Sequence, residues 1–233
     1  MQIIKSLLKY SKRNKLSNRD CISLPLYKSP GYHHLKRLPD VKTVIDVGVG
    51  DQGSPFLYSA FPHANFISID ALHECQAVVD KHLGISNKNK FFSFALGDQD
   101  GVAFIDVREK ISQSSILQRS DGDTRFTNIV EKRRVQMRRL DDVLSSCAAL
   151  ENKILLKIDA EGFEKPILHG SKNTLKLCDY VVLELPLNSN YKDGFLFSSL
   201  VEIMASYGLE AAAIINLSSS NVDICFSRQN IHI

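Results

Sequence analysis

The sequence predicts an α/β domain built on a mainly parallel, seven-stranded sheet, with helices on both faces and an antiparallel hairpin at its C-terminal end. Three observations carry this. Short apolar runs alternate with segments of helical spacing from Val41 onward. The first run closes in a glycine-rich turn, "VIDVGVGDQGS" (Val44–Ser54), at the place where open α/β sheets bind ligands. The last two runs, Glu210–Leu217 and Val222–Phe226, are joined only through Ser218–Asn221. That linker is too short for a helical crossover, so the two strands pair antiparallel.

In chain order, Val41–Val47 reads as a buried strand and Pro55–Phe61 as a short helix stopped before Pro62. Asn65–Ile69 is a second strand that ends at Asp70. Leu72, Val79 and Leu83 give Leu72–Leu83 helical spacing, and Phe91–Leu96 is a third strand. "GDQDG" (Gly97–Gly101) is a turn, after which Val102–Val107 adds a small antiparallel strand. Residues 108–131 are polar and irregular. Arg133–Leu140 is extended, as an edge strand with one half-buried face, and Leu140–Ser146 is a short helix. "KILLKI" (Lys153–Ile158) is a strand, followed by a helix from Phe163 whose first turn tolerates Pro166. "YVVLEL" (Tyr180–Leu185) is the next strand, and a helix over Phe195–Tyr207 precedes the hairpin.

The chain has 233 residues, 44% of them hydrophobic and 24% charged, which suits one large domain with a sizeable core. Residues 1–19 carry Lys5, Lys9, Lys12, Arg13, Lys15 and Arg19 and no acid. The rest holds 23 basic against 26 acidic residues, a balance of −3. We therefore divide the chain into a basic arm or cap, 1–40, and a catalytic domain, 41–233. The arm reads as a solvated terminus, with peripheral contact to an anionic membrane as the sharper reading. No apolar run is long enough for a membrane span. Cysteines 21, 75, 147, 178 and 225 are scattered without a C-x-x-C pair, which fits free thiols in a reducing cytoplasm.

Gly48, Gly50 and Gly53 spell G-x-G-x-x-G, and Asp70 stands at the end of the second strand, where an acid accepts from a ribose diol. Nicotinamide and S-adenosylmethionine sites share both features. Asp46 discriminates between them. A pyrophosphate prefers N–H groups and is repelled by a carboxylate, whereas S-adenosylmethionine brings a sulfonium and an ammonium. Asp46 and Asp51 therefore favour the cationic cofactor, although Asp46 also reads as a tie for the loop backbone. Leu96 is placed to press on an adenine ring and Asp98 to accept from its exocyclic amine, unless "GD" is a plain turn.

"LLKIDAEGFEKPILHGS" (Leu155–Ser171) sets Lys157 and Asp159 on one face of a strand end, with Glu161 in the turn. Glu184 closes the next strand. Transfer of a methyl group to a hydroxyl needs the proton removed, for which Asp159 or Glu161 is the candidate base and Lys157 an ion-pair orienter. A structural salt-bridge cluster is the competing reading. No histidine joins these acids at ligand spacing, so no metal is assigned. The basic run "EKRRVQMRRL" lacks interleaved aromatics, which argues against nucleic acid as partner.

Taken together, "VIDVGVG", the Asp70 strand end, "ALGDQDG", "SSIL" (Ser114–Leu117), "RRLDDVL" (Arg138–Leu144) and "LLKIDAEGFEKPILHGS" resemble the FkbM-type S-adenosylmethionine-dependent methyltransferases, in family order over roughly residues 41–190. The loop departs from the usual G-x-G-x-G by setting its third glycine one place late. The resemblance implies a class I methyltransferase fold (Rossmann-like) and O-methylation of a sugar, glycan or natural-product hydroxyl. It also implies that Lys157, Asp159, Glu161, Gly162 and Glu164 belong to a shared active-site motif. In this reading Asp46, Gly48, Gly50, Gly53, Asp70, Leu96 and Asp98 bind the cofactor, while Lys157, Asp159, Glu161 and Glu184 serve catalysis. The Ser112–Thr127 stretch closes over the acceptor. A nicotinamide-dependent oxidoreductase and a non-catalytic binding protein of the same fold are the rivals.

Overall fold

The structure, a computed structural model, describes residues 31–119, 126–147, 150–187, 191–192, 194–218 and 220–228. The basic stretch 1–19 lies outside these residues, as do positions 120–125 of the expected closing segment.

Ten strands form two sheets. β1 (Thr43–Val47), β2 (Asn65–Asp70), β3 (Asn89–Ser93), β7 (Ile154–Ile158), β8 (Tyr180–Pro186), β9 (Glu210–Leu217) and β10 (Asn221–Ser227) make the main sheet, in the order β3-β2-β1-β7-β8-β10-β9. The strands from β3 to β8 in that order pair in parallel. Only β10 runs antiparallel, against both β8 and β9. This is the seven-stranded sheet with a terminal hairpin that the sequence predicts. Its order reverses between β1 and β7, so the loops leaving those strands flank a crevice.

The second sheet was not foreseen as a unit. β4 (Ala95–Leu96), β5 (Gly101–Arg108) and β6 (Ile129–Arg138) pair in the order β4-β6-β5. The predicted third strand is thus two strands: the chain leaves the main sheet after Ser93 and pairs Ala95 and Leu96 with Met137 and Arg138. β6 begins earlier than the sequence suggested, because Ile129–Lys132 pair with β5 although their own faces are exposed.

Helices cover both faces of the main sheet. On one face α3 (Leu140–Ser145), α4 (Glu164–His169), α5 (Lys172–Leu177) and α6 (Phe197–Ser206) bury Leu140, Val143, Ile167, Leu175, Leu200 and Met204 against Ile45, Leu156 and Val181. On the other, α1 (Pro55–Ala60) and the 3₁₀ turn Tyr32–Arg37 pack Leu57, Leu35 and Leu38 on Val44, Phe66 and Tyr180. Alternation along β1 explains the division, since successive side chains point to opposite faces. α2 (Gln76–Leu83), entered through the 3₁₀ turn His73–Cys75, joins Val79 to the core beneath the second sheet. None of the described helices is long and apolar enough to cross a membrane.

The helix expected from Phe163 breaks at Gly170 into α4 and α5. Asp141 restarts it: its carboxylate accepts the backbone N–H groups of Asn173 and Thr174 at 2.9 and 2.8 Å, which caps the orphan donors of α5. Gly170 itself lies against the exit of β4. A Cβ there would stand 1.9 Å from the carbonyl oxygen of Gly97, with backbone on both sides of the clash. Gly170→Ala should therefore lower the unfolding free energy by roughly 1–3 kcal/mol or more. Denaturant unfolding reads this directly, and a midpoint equal to the parent's would show that the contact is not tight.

Candidate active site

The loops after β1, β2, β7 and β8 surround a cavity of about 390 Å³, within the range of small-molecule sites. Gly48, Gly50, Gly53, Asp70 and Leu96 line it, together with Lys157, Asp159, Glu161 and Glu184. Strand order sets the Asp70 loop on one side of the glycine turn and the β7 and β8 loops on the other.

Gly48 has φ +76°, and a Cβ on it would fall 1.7 Å from the carbonyl oxygen of Asp159. Only glycine fits, because the turn after β1 and the turn after β7 touch backbone to backbone. Asp70 organises the far side. Its Oδ2 accepts the N–H of Gly50 and its Oδ1 that of Leu72, each at 2.9 Å. Burial pushes Asp70 above the ordinary carboxylate range, and these two donors oppose the rise. Gly53 turns at φ +69° beside the Tyr58 hydroxyl.

Two expected cofactor residues lie elsewhere. Asp46 is fully buried and does not line the cavity. It stands opposite Lys157 in the register of β1 and β7, and its Oδ1 is 3.4 Å from the Lys157 ammonium. Its charge therefore faces a side chain beneath the loop rather than a ligand above it. Burial pushes Asp46 upward and Lys157 pulls it back. Asp98 is exposed and lines a separate shallow groove with His169, Lys172 and Tyr207. Gly97 is held by Arg138 and by the Gly170 contact, so the next residue emerges outside the cavity.

Lys157 joins the elements. Its Nζ donates to the carbonyl of Gly48 at 2.6 Å and lies 3.5 Å from Asp159 Oδ2. It is 5% exposed. Burial lowers its pKa, but Asp159 and Asp46 outweigh burial and hold the ammonium above its ordinary value.

The carboxylates differ in their surroundings. The Asp159 side chain is 42% exposed. Glu161 sits at φ +50°, and its Oε2 takes the Arg119 guanidinium at 2.9 Å and the Tyr191 hydroxyl at 2.7 Å. Glu164 is buried, with Oε1 accepting the N–H groups of Ala160 and Gly162. Burial pushes Glu164 up to about 7. Glu184 accepts from Asn221 Nδ2 at 2.6 Å and faces Asp223 across the β8–β10 pair. Burial, then Asp159, Glu164, Glu161 and Asp223, carries it well above the ordinary range. Asp223 in turn accepts from Tyr32 and Asn216.

Arg119, Tyr191, Asn221 and Tyr32 were not singled out in the sequence. The "SSIL" piece marks the neighbourhood of Arg119. Tyr191 stands as a lone aromatic in "NSNYKDG", a weak signal. Asn221 and Tyr32 give none.

Two outcomes follow for stability. Lys157→Met strands a buried carboxylate and should cost about 3–5 kcal/mol. Adding Asp46→Asn should recover part of that loss in urea unfolding, and no recovery would mean that the two do not act as a pair. For Glu164, the native state holds its proton at pH values where the unfolded chain has released it. Its contribution is full below about pH 4.5 and is lost as the pH rises through about 7. Glu164→Gln should flatten the fall in stability across that window by up to roughly 3 kcal/mol; an unchanged slope would assign the fall to other carboxylates.

The Methyltransferase FkbM domain profile matches residues 46–210. No curated protein matches the chain in sequence. Among solved structures, the chain is similar to the METTL16 MTase domain at 14% identity and TM-score 0.47, covering 85% of this chain and 66% of that one. It thus spans just under two thirds of that domain. Magnesium protoporphyrin IX methyltransferase from Synechocystis, solved with bound S-adenosylmethionine, gives 12% and 0.46 over 85% and 76% of the two chains. Precorrin-6y C5,15-methyltransferase from Geobacter metallireducens gives 10% and 0.47 over 85% and 86%. The cavity fits the family's cofactor, since the carboxyl groups of Asp70, Asp159, Glu161, Glu164 and Glu184 all line it, and where burial and mutual repulsion hold Glu164 and Glu184 toward the protonated form, an incoming cation favours their ionised form and an anion opposes it. The chain belongs to the FkbM methyltransferase domain family, and its seven-stranded sheet with a terminal antiparallel hairpin is of the class I methyltransferase plan.

Proposed function

We propose that the protein is an O-methyltransferase acting on a hydroxyl of a sugar, glycan or natural product. The observation that carries this reading is the continuity of the cavity. The glycine turn and Asp70 open into the same space as Asp159, Glu161 and Glu184, so a methyl donor and a hydroxyl acceptor would meet beside carboxylates able to take a proton.

Bound S-adenosylmethionine supplies an electrophilic methyl group activated by its sulfonium. The chain supplies alignment and proton removal. Gly48, Gly50 and Gly53 shape the wall for the methionine part, Asp70 faces the ribose, and Leu96 contributes an apolar surface for the adenine. Asp46 acts one layer below, through Lys157. Asp159 accepts the acceptor's proton: its side chain is half open to the cavity, and the Lys157 ammonium 3.5 Å from Oδ2 orients it. Glu161 is occupied by Arg119 and Tyr191, which leaves it a poorer base. Glu184 adds a second carboxyl beside the acceptor.

The catalytic domain of this reading is 41–233, with Leu35 and Leu38 of the preceding segment packed into its core. The basic run of β6 is largely engaged within the molecule. Arg133 pairs with Glu74 and Glu131, and Lys132 lies 3.9 Å from Asp106. That supports a small acceptor over a polynucleotide. The four described cysteines are unbridged, which supports a reducing, cytoplasmic setting.

The test is S-adenosylhomocysteine release from labelled cofactor with a panel of sugars, glycans and polyketide-type alcohols, and with RNA as comparator. Asp159→Asn should lower turnover roughly 10²–10⁴-fold while S-adenosylhomocysteine affinity stays within a few-fold. Asp70→Ala should instead weaken that affinity. Methyl transfer to RNA and to no alcohol, or full turnover by Asp159→Asn, would overturn the reading.

A further inference from the structure

Lys110–Ile116 and Arg119 all line the cavity, so the segment from Lys110 to Arg119 crosses it as a strap. It lies on the glycine turn, because a Cβ on Gly50 would come within 3.1 Å of Ser112 Cβ. One part is fixed to the second sheet. Ser115 exchanges two backbone hydrogen bonds with Asp106 of β5, at 2.9 and 3.3 Å. At its far end main chain and side chains share the fastening, for Arg119 and Tyr191 form a single antiparallel β-bridge and their side chains converge on Glu161. Arg119 Nη2 donates to Glu161 Oε2 at 2.9 Å and to the Gln113 carbonyl at 3.2 Å. The guanidinium lies over two rings, 3.2 Å from the Phe126 centroid and 4.6 Å from that of Tyr191. The Tyr191 hydroxyl donates to the same Glu161 oxygen, and Lys192 N–H reaches the Gln118 carbonyl at 2.9 Å.

Glu161 is the catch. Its backbone is left-handed, at φ +50°, a conformation a non-glycine residue holds only where its surroundings impose it. Three contacts do so here: Arg119 and Tyr191 on its carboxylate, and Ser115 Oγ donating to its carbonyl at 2.8 Å. Gly162 completes the fit, since a Cβ there would meet the Tyr191 ring at 2.6 Å. The Arg119 side chain is 6% exposed, so solvent screens the ion pair weakly.

We infer that Arg119 and Tyr191 are positioning residues that make Glu161 the latch of the Lys110–Arg119 strap, and that S-adenosylhomocysteine leaves the cavity only when this latch opens. The inference rests on the cofactor and not on the identity of the acceptor. It predicts a kinetic signature. A latch that stabilises the closed strap with and without ligand slows entry and exit alike, and leaves the equilibrium constant little changed.

The experiment is surface-plasmon measurement of S-adenosylhomocysteine association and dissociation on the full chain, with circular dichroism and thermal melting alongside. Arg119→Gln removes a charge-assisted hydrogen bond and should raise both rates roughly tenfold or more. Tyr191→Phe should raise both by a smaller factor. In both variants the dissociation constant should stay within about threefold. Faster dissociation with unchanged association would overturn the latch, because it would mark a residue that contacts the ligand directly. Parent-like rates in a folded variant would also overturn it. Should Arg119→Gln fail to fold, Tyr191→Phe removes only an oxygen and decides the matter by the same two rates.

Discussion

The Lys157 ammonium sits where the two central strands of the sheet end, and three parts of the site are defined by where it points. It reaches the carbonyl of Gly48, the carboxylate of Asp46 beneath and that of Asp159 beside it. A lysine so deeply buried is tolerated only because those partners return what is lost in leaving water. The arrangement has a geometric result. The glycine turn and the carboxylate best placed to accept a proton are both referred to one nitrogen atom. A displacement of β7 relative to β1 would therefore disturb the cofactor wall and the proton acceptor together.

Around that cation the carboxylates raise one another. Asp159 appears among the causes that push up Glu161, Glu164, Glu184 and Asp223, in each case behind burial. A cationic ligand entering such a cavity relieves the repulsion, and a pyrophosphate would add to it. Asp46 in the sequence thus points to the family's cofactor for an incomplete reason. The negative field of the site comes from the loops after β2, β7 and β8, while Asp46 is balanced by Lys157.

What could be read from the sequence was whatever depends on neighbours along the chain. β1, β7, β8 and the closing hairpin are apolar runs bounded by turns; the short last linker makes the hairpin antiparallel, and the alternation of strands with helices makes the rest mainly parallel. The glycine spacing and Asp70 are likewise local. The second sheet was hidden because Ile129–Lys132 acquire strand structure from pairing with Val107, Asp106 and Arg108 rather than from a buried face of their own. Parity along β7 showed that Lys157 and Asp159 share a face, but which strand stands alongside is a matter of register. No single segment states that Asp46 is opposite Lys157. Arg119 and Tyr191 meet Glu161 across 42 and 30 positions of chain, and nothing in "LQR" or "NYK" announces the meeting. Asp98 lies away from the cavity for the opposite reason: its local spacing is suggestive, but the packing of Gly97 on Gly170 turns it outward.

The same contrast between backbone and side-chain contacts divides the cavity mechanically. Its floor is closed by main chain on main chain. Gly48 lies on the Asp159 carbonyl, and behind the lining residue Leu96, just outside the cavity, the Gly97 carbonyl lies on Gly170. Neither contact offers a side chain that could turn aside, so the floor can change only by moving whole strands. Much of the roof is held by side chains: Ser112 against Gly50, Arg119 and Tyr191 on Glu161. Side chains change rotamer without disturbing a sheet ladder, and such contacts are broken at lower free energy than a packed strand pair. Ligand exchange therefore belongs to the roof, where side-chain contacts on Glu161 and a short main-chain bridge between residues 118–119 and 191–192 must be given up, and alignment belongs to the floor, which has no cheap alternative conformation.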